Sequence, residues 1–361
     1  MRRWFVLFAV AMLLCAPCRA QEVQLWDELG AGELARAGER YDVGIELSPE
    51  LDMNEGMRSV LKRASEHLPG VLHDAVQSAL MLLVVVLLCA AAEGVQAAGM
   101  ADGIPVSVMA GALAITGLAA SDMTVMLGLG RSTIDKMQGF GQVLLPVMAA
   151  FTAATGSVGA AAARQVATAM FSSLLLTLID KLLVPLVYAY VTACTAYAAV
   201  GNPGLKKVAD ILKWVVTTAL TTLLILFVTY LSLSGIFAGT TDAAALKAAK
   251  MAIANVVPVV GRIISDAAET VLVGAGLLKN TVGLFGMLAV LALCIVPFLQ
   301  LGVHYLTYKI SAALAATLAN SRLSELIGGI GTAFGLILGM TGACTLLLLV
   351  SMLSGVVGVG T

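Results

Sequence analysis

Apolar runs long enough to cross a lipid bilayer dominate this chain, and they constrain its fold more than any other feature. "ALMLLVVVLLCAAA" ending at Ala92 is one, and "WVVTTALTTLLILFVTYLSLSGIF" from Trp214 to Phe237 is another. A helix needs about 20 such residues to span the hydrocarbon core. Composition agrees, with 60% hydrophobic and 12% charged residues, against about half and a quarter in soluble domains. The runs are continuous and rich in Leu and Ala rather than alternating, which argues against a transmembrane barrel. The expected class is all-α, a polytopic helical membrane protein with about six to eight transmembrane helices. The net charge of −1 says little about partners, and no nucleic acid is expected among them.

Three regions follow from the pattern of charge. Residues 1–20, "MRRWFVLFAVAMLLCAPCRA", place Arg2 and Arg3 before a short apolar core and end on a small residue, the layout of a cleavable signal peptide. Residues 21–74 carry twelve acidic and five basic side chains, so this segment faces water and is expected on the exported side. Within it, "DELGAGELARAGERYD" and "NEGMRSVLKRASEHL" suit amphipathic helices, the second with Met57, Val60, Leu61 and Leu68 near one stripe. Residues 75–361 form the polytopic domain, with an amphipathic or re-entrant segment near 242–283.

Inside that domain the spans are expected at about 75–92, 104–120 and 140–163, the last two separated by a polar interval. The interval holds Asp122, Arg131, Asp135 and Lys136 and the flexible "GLG" of Gly128–Gly130. The run from Arg164 to Val200 is too long for one untilted helix and carries Asp180 and Lys181 at its centre. A break or a protein-facing ion pair is expected there, since unpaired charge in lipid costs several kcal/mol. "GNPG" at 201–204 marks a turn, and Lys206, Lys207 and Lys213 put the following loop on the cytoplasmic side. Two more spans follow, about 284–306 and 326–357. In the last, Gly331, Gly335 and Gly339 recur every fourth residue, a face on which helix backbones approach closely.

Catalytic chemistry is not legible. The chain has no metalloprotease HExxH, no phosphate loop and no dinucleotide fingerprint. Its three histidines, His67, His73 and His304, form no cluster, and His304 beside Tyr305 and Tyr308 reads as an interfacial anchor. Cys89, Cys194, Cys294 and Cys344 stand singly in apolar runs as small hydrophobes. No enzyme activity, cofactor or metal is expected.

The stretch "PVVGRIISDAAETVLVGAGLLKNTVG" at 258–283 keeps charge in an apolar setting. A helix started at Pro258 would place Arg262, Asp266 and Glu269 at spacings of four and three on one face, with Arg262 in reach of Asp266. That face would meet water, protein or the headgroup zone. Gly274 and Gly276 would loosen the helix before Lys279 and Asn280, giving a re-entrant or interfacial hairpin.

The same residues resemble the signature region of the stage III sporulation protein AE family, polytopic membrane proteins of endospore-forming bacteria. The matching elements are Pro258, Val259, Gly261 and Arg262, the acidic pair Asp266 and Glu269, and "LLKNTVG" at Leu277 to Gly283. The resemblance implies a component of the complex in the mother-cell membrane around the engulfed forespore. Its partners would be the other membrane and ring-forming proteins of that operon, including an ATPase, besides the lipid bilayer and a possible homo-oligomer. In that setting the polar face of Pro258, Gly261, Arg262, Asp266, Glu269, Lys279 and Asn280 would line a path or dock a partner. A structural ion pair fixing helix register is the plain alternative. A stand-alone secondary transporter and a purely structural scaffold are the rival functions.

Overall fold

The computed structural model describes residues 29–48, 51–97, 106–154, 160–233, 260–318 and 321–357. Of these it describes 93–97, 106–107, 152–153, 160–165, 228, 231–233, 260–279 and 353–357 by backbone alone. The segment read as a signal peptide, residues 1–20, lies outside them. Nearly all the described residues are helical, and none is in a strand. A short helix, α1 (Ala31–Arg40), precedes α2 (Met53–Ala97), α3 (Val106–Ala154) and α4 (Ala160–Leu178). One π-helical turn, Ile179–Leu183, joins α4 to α5 (Val184–Val200), and α6 (Pro203–Leu233), α7 (Val260–Leu318) and α8 (Ser321–Val357) complete the order. Six stretches among the described residues are long and apolar enough to cross a membrane, one in each of α2, α3, α6, α7 and α8 and one running from α4 through α5.

The helices are longer than the spans read from sequence. α2, α3 and α7 hold 45, 49 and 59 residues. At 1.5 Å per residue these are about 68, 74 and 88 Å long, more than twice the ~30 Å hydrocarbon thickness. The polar interval expected between 120 and 140 is not a loop: α3 runs through it, with Gly128–Gly130 helical. Gly130 serves packing instead, because a Cβ there would run into Ile337 of α8. Likewise α7 continues through Gly274 and Gly276, so the expected loosening into a hairpin does not occur there. The boundary at 74/75 is not a backbone break either, since α2 passes straight across it.

Two long helices, α7 and α8, pack antiparallel at the centre. Gly331 faces Tyr308, where a Cβ would stand 3.0 Å from the tyrosine Cβ, and Gly335 faces the Tyr305 ring. Gly339 of the same stripe looks toward Leu220 of α6 at an ordinary 3.7 Å. Absent side chains at Gly331 and Gly335 let the backbones close in, so dispersion supplies the attraction that lipid-solvated helices otherwise lack. Around this pair, α2 and α3 lie antiparallel to each other: Gly111 meets Cys89 near one end, while Gly56 and Leu144 meet Leu288 and Gly286 near the other. Asp74–Val76 of α2 therefore stands level with Thr124–Met126 of α3. The helix α1 docks at this second end through Tyr41 edge-on to Phe140, 6.4 Å between ring centroids. Arg63 of α2 holds the segment after α1 by donating to the Asp42 and Val43 carbonyls at 3.2 and 3.1 Å.

The turn read at 201–204 is present, with Gly201 left-handed at φ 74° and the Asn202 side chain accepting from the Gly204 N–H at 2.8 Å. His304 is corrected from interfacial anchor to core residue. It is buried, its Nδ1 contacts the Gln300 carbonyl at 2.9 Å, and its ring meets Phe334 edge-on.

Candidate functional site

Pro185 lacks the N–H that an α-helix would use to bond the Lys181 carbonyl four residues back, and its ring crowds that carbonyl. The helix relieves this by widening into the π turn 179–183, where the Val184 N–H donates to Ile179, five residues back. Such single turns recur at functional positions in long helices. Here the turn carries Asp180 inward and Lys181 outward.

The Asp180 side chain is fully enclosed. The Lys181 ammonium lies 2.8 Å from one carboxylate oxygen and Nε of Arg131, from α3, lies 3.9 Å from the other. Neither oxygen receives a well-aligned hydrogen bond, so the compensation for burying this charge is ionic. Asp135, one turn beyond Arg131, interacts with both Asp180 and Arg131. Arg131 with Asp180, and Asp135 with Lys181, thus set opposite charges across from each other between α3 and the π turn, while Asp135 and Asp180 repel each other. Just beside them Gln138 donates to the Thr177 hydroxyl at 3.0 Å. Desolvating a lone carboxylate costs several kcal/mol, which this cluster offsets.

The cluster is lopsided. Asp180 is enclosed, but the Arg131 and Lys181 side chains are 54% and 69% exposed on the surface of the chain. Both lie in stretches apolar enough to span a membrane. Arginine and lysine there are costly against lipid, so water or another protein segment is their physical complement.

Polar contacts continue toward the other end of the bundle. The Tyr308 hydroxyl donates to Asp122 at 2.8 Å. Lys309 donates to the Gly328 carbonyl at 3.0 Å and to Thr332 at 2.7 Å, and Lys206 pairs with Glu325 at 2.8 Å. No group of three or more metal-ligating side chains occurs among the described residues.

Comparison with known proteins settles the family. The family model described as stage III sporulation protein AE matches residues 51–360. This chain belongs to the stage III sporulation protein AE family. The protein of that name from Bacillus subtilis (strain 168) is 27% identical over 197 residues, 55% of this chain and 49% of the relative. The match therefore spans about half the length of that curated relative. No solved structure matches the chain. Membership of the stage III sporulation protein AE family carries a role in sporulation, and the six apolar stretches make this member a membrane protein.

Of the polar face read from sequence in this stage III AE protein, Pro258 lies outside the described residues. Gly261, Arg262, Asp266, Glu269 and Lys279 fall on the helical backbone of α7 with side chains outside the description, and Asn280 is exposed. The backbone keeps Arg262, Asp266 and Glu269 at helical spacing, on one face. The ion pair sought at Asp180 is present, but its partners on α3 were missed. The signal available was Pro185 four residues after Lys181, together with Arg131 and Asp135 at helical spacing in the polar interval between two spans.

Proposed function

We propose that this chain is the membrane component of a secretion-like channel complex that connects mother cell and forespore and is required for forespore development. It acts in the mother-cell membrane surrounding the forespore, with the other membrane and ring-forming proteins of the stage III sporulation operon and their ATPase. The observation that carries the reading, beside the family, is the surface opening of the charged cluster: Arg131 and Lys181 reach the surface within stretches apolar enough to span a membrane. A self-contained lipid-embedded bundle has no use for such a face, whereas a subunit of an assembly places it against water or a neighbour. The Arg262, Asp266 and Glu269 face of α7 is assigned the same kind of role, lining a path or docking a partner.

Affinity purification of the tagged chain from sporulating cells after mild cross-linking tests this. Recovery with the operon's ATPase and ring-forming proteins is expected. Recovery alone, from cells in which those proteins are present and cross-linkable, would overturn the assembly reading and leave a stand-alone transporter to be tested by solute flux.

A further inference from the structure

At the end of the bundle where α1 docks, the molecule has two unlike sides. On the α2–α3 side the exposed residues are mainly polar: Glu55, Lys62 and Glu66 on α2, then Ser132, Lys136 and Gln142 on α3, with Met53 and Leu61 exposed among them. On the α4–α6 side they are mainly apolar and uncharged: Val166, Met170 and Leu174 on α4, with Ile225 and Leu226 on α6 beside Thr222 and Thr229.

The two sides lie at the same height. Gln138 of α3 hydrogen bonds Thr177 of α4, and Phe171 of α4 stacks on Phe227 of α6 at 6.1 Å. Among the principal packing contacts, α2 packs on α3 and α7, whereas α6 packs on α4, the π turn, α5 and α8. The polar and apolar faces therefore point different ways from one cross-section. If this end simply projected into water, the apolar side would be left exposed to it. If lipid surrounded it, the charged side would be left in hydrocarbon.

We propose that this half of the molecule is a wall between two solvents: the α2–α3 face borders a water-filled path within the membrane region while the α4–α6 face borders lipid. The cluster of Arg131, Asp135, Asp180 and Lys181 lies in this half, with its cations reaching the surface and its Asp180 carboxylate behind them. The inference deepens the reading of the chain as a channel component by naming the surface that meets the aqueous path and the solute class it suits, water and small hydrophilic species.

Single cysteines introduced into the full chain separate the two sides. Ser65→Cys, Ser132→Cys and Gln142→Cys report the polar face, and Met170→Cys, Leu174→Cys and Leu226→Cys the apolar face. Each is read in cell membranes against the unsubstituted chain with a membrane-impermeant maleimide. Labelling after denaturation gives the amount of protein present, so a variant that fails to fold is recognised and replaced by its neighbour on the same face. Because maleimide needs a hydrated thiolate, the polar-face cysteines are expected to react about tenfold faster or more than the apolar-face ones. Equal rates on the two faces would overturn the proposal. So would protection of Ser132→Cys accompanied by disulfide-linked dimers, which would make the face a packed contact between copies. Labelling is scored independently of co-purifying proteins, so loss of the complex and loss of the aqueous face are distinguishable.

Discussion

Two halves of the same helices, α2 and α3, teach opposite lessons about what surrounds this protein. In one half the exposed side chains are mainly apolar, Val76, Leu80, Val84 and Leu88 on α2 and Met109, Leu113 and Leu118 on α3, with Gln77 among them. In the other, charged and polar side chains predominate, Glu55, Arg58, Lys62, Glu66 and Asp74 on α2 and Ser121, Thr124, Arg131, Asp135 and Lys136 on α3, with Leu61, Leu72 and Val125 exposed among them. The inward stripe does not change: Val60, Val71, Leu82 and Val86 of α2 are all buried, and so are Ile115, Leu127 and Ile134 of α3. The bundle core is thus continuous while the exposed side chains change from mainly apolar to mainly polar near the level of Asp74 and Ser121. Both helices switch at nearly the same height because they run antiparallel in register.

That contrast is broken most severely by stranding its buried charge. Replacing Arg131 and Lys181 together by alanine leaves Asp180 enclosed without a cation, and a buried charge deprived of its partners costs about 3–5 kcal/mol. Detergent-solubilised protein is expected to lose most of its resistance to thermal unfolding, and adding Asp180→Asn is expected to recover much of it. No loss in the double variant would show that the cluster is not holding the π turn to α3.

A smaller effect sharpens the boundary itself. Leu113→Arg puts a cation in the apolar half at a cost of about 2.5–3.5 kcal/mol if it faces mid-membrane, whereas Ser132→Arg in the polar half is expected to change stability by no more than about 0.5 kcal/mol. The amount of each protein in the membrane fraction reads the difference. Equal amounts would erase the proposed change of solvent along α3.

Least is expected from the glycine stripe, and it distinguishes core from surface. Gly331→Val would force a side chain against Tyr308 and is expected to destabilise by about 1–3 kcal/mol, the usual range for overpacking. Gly339→Ala, with only Leu220 at 3.7 Å, is expected to be neutral. Thermal unfolding of the two variants compares them, and an equally tolerant Gly331 would mean that α7 and α8 are not closely apposed.

Much of the fold was legible from the chain because lipid imposes a simple rule. A backbone that cannot bond to water must bond to itself, so long Leu- and Ala-rich runs become helices. The charge at Asp180 and Lys181 was also legible as an exception to lipid burial, in the broad sense that it needed a partner. Its partners were not, because Arg131 and Asp135 sit between two apolar runs and polar intervals usually mark loops. Packing overrode that pattern. Ile337 lies against Gly130, and Leu348 against Gly141, so α3 has continuous support on α8 through the interval and stays helical.

By itself, the sequence determined that this is an all-helical membrane protein of the stage III sporulation protein AE family, since hydropathy and the motif around Arg262 are local properties of the chain. Only the tertiary structure decided which polar residues share a face. That the outer faces of α2 and α3 change character at one height, and that Asp180 meets Arg131, depends on antiparallel register between segments far apart in the chain. Register is set by where side chains fit between packed helices, a relation between residues that no single stretch of sequence contains.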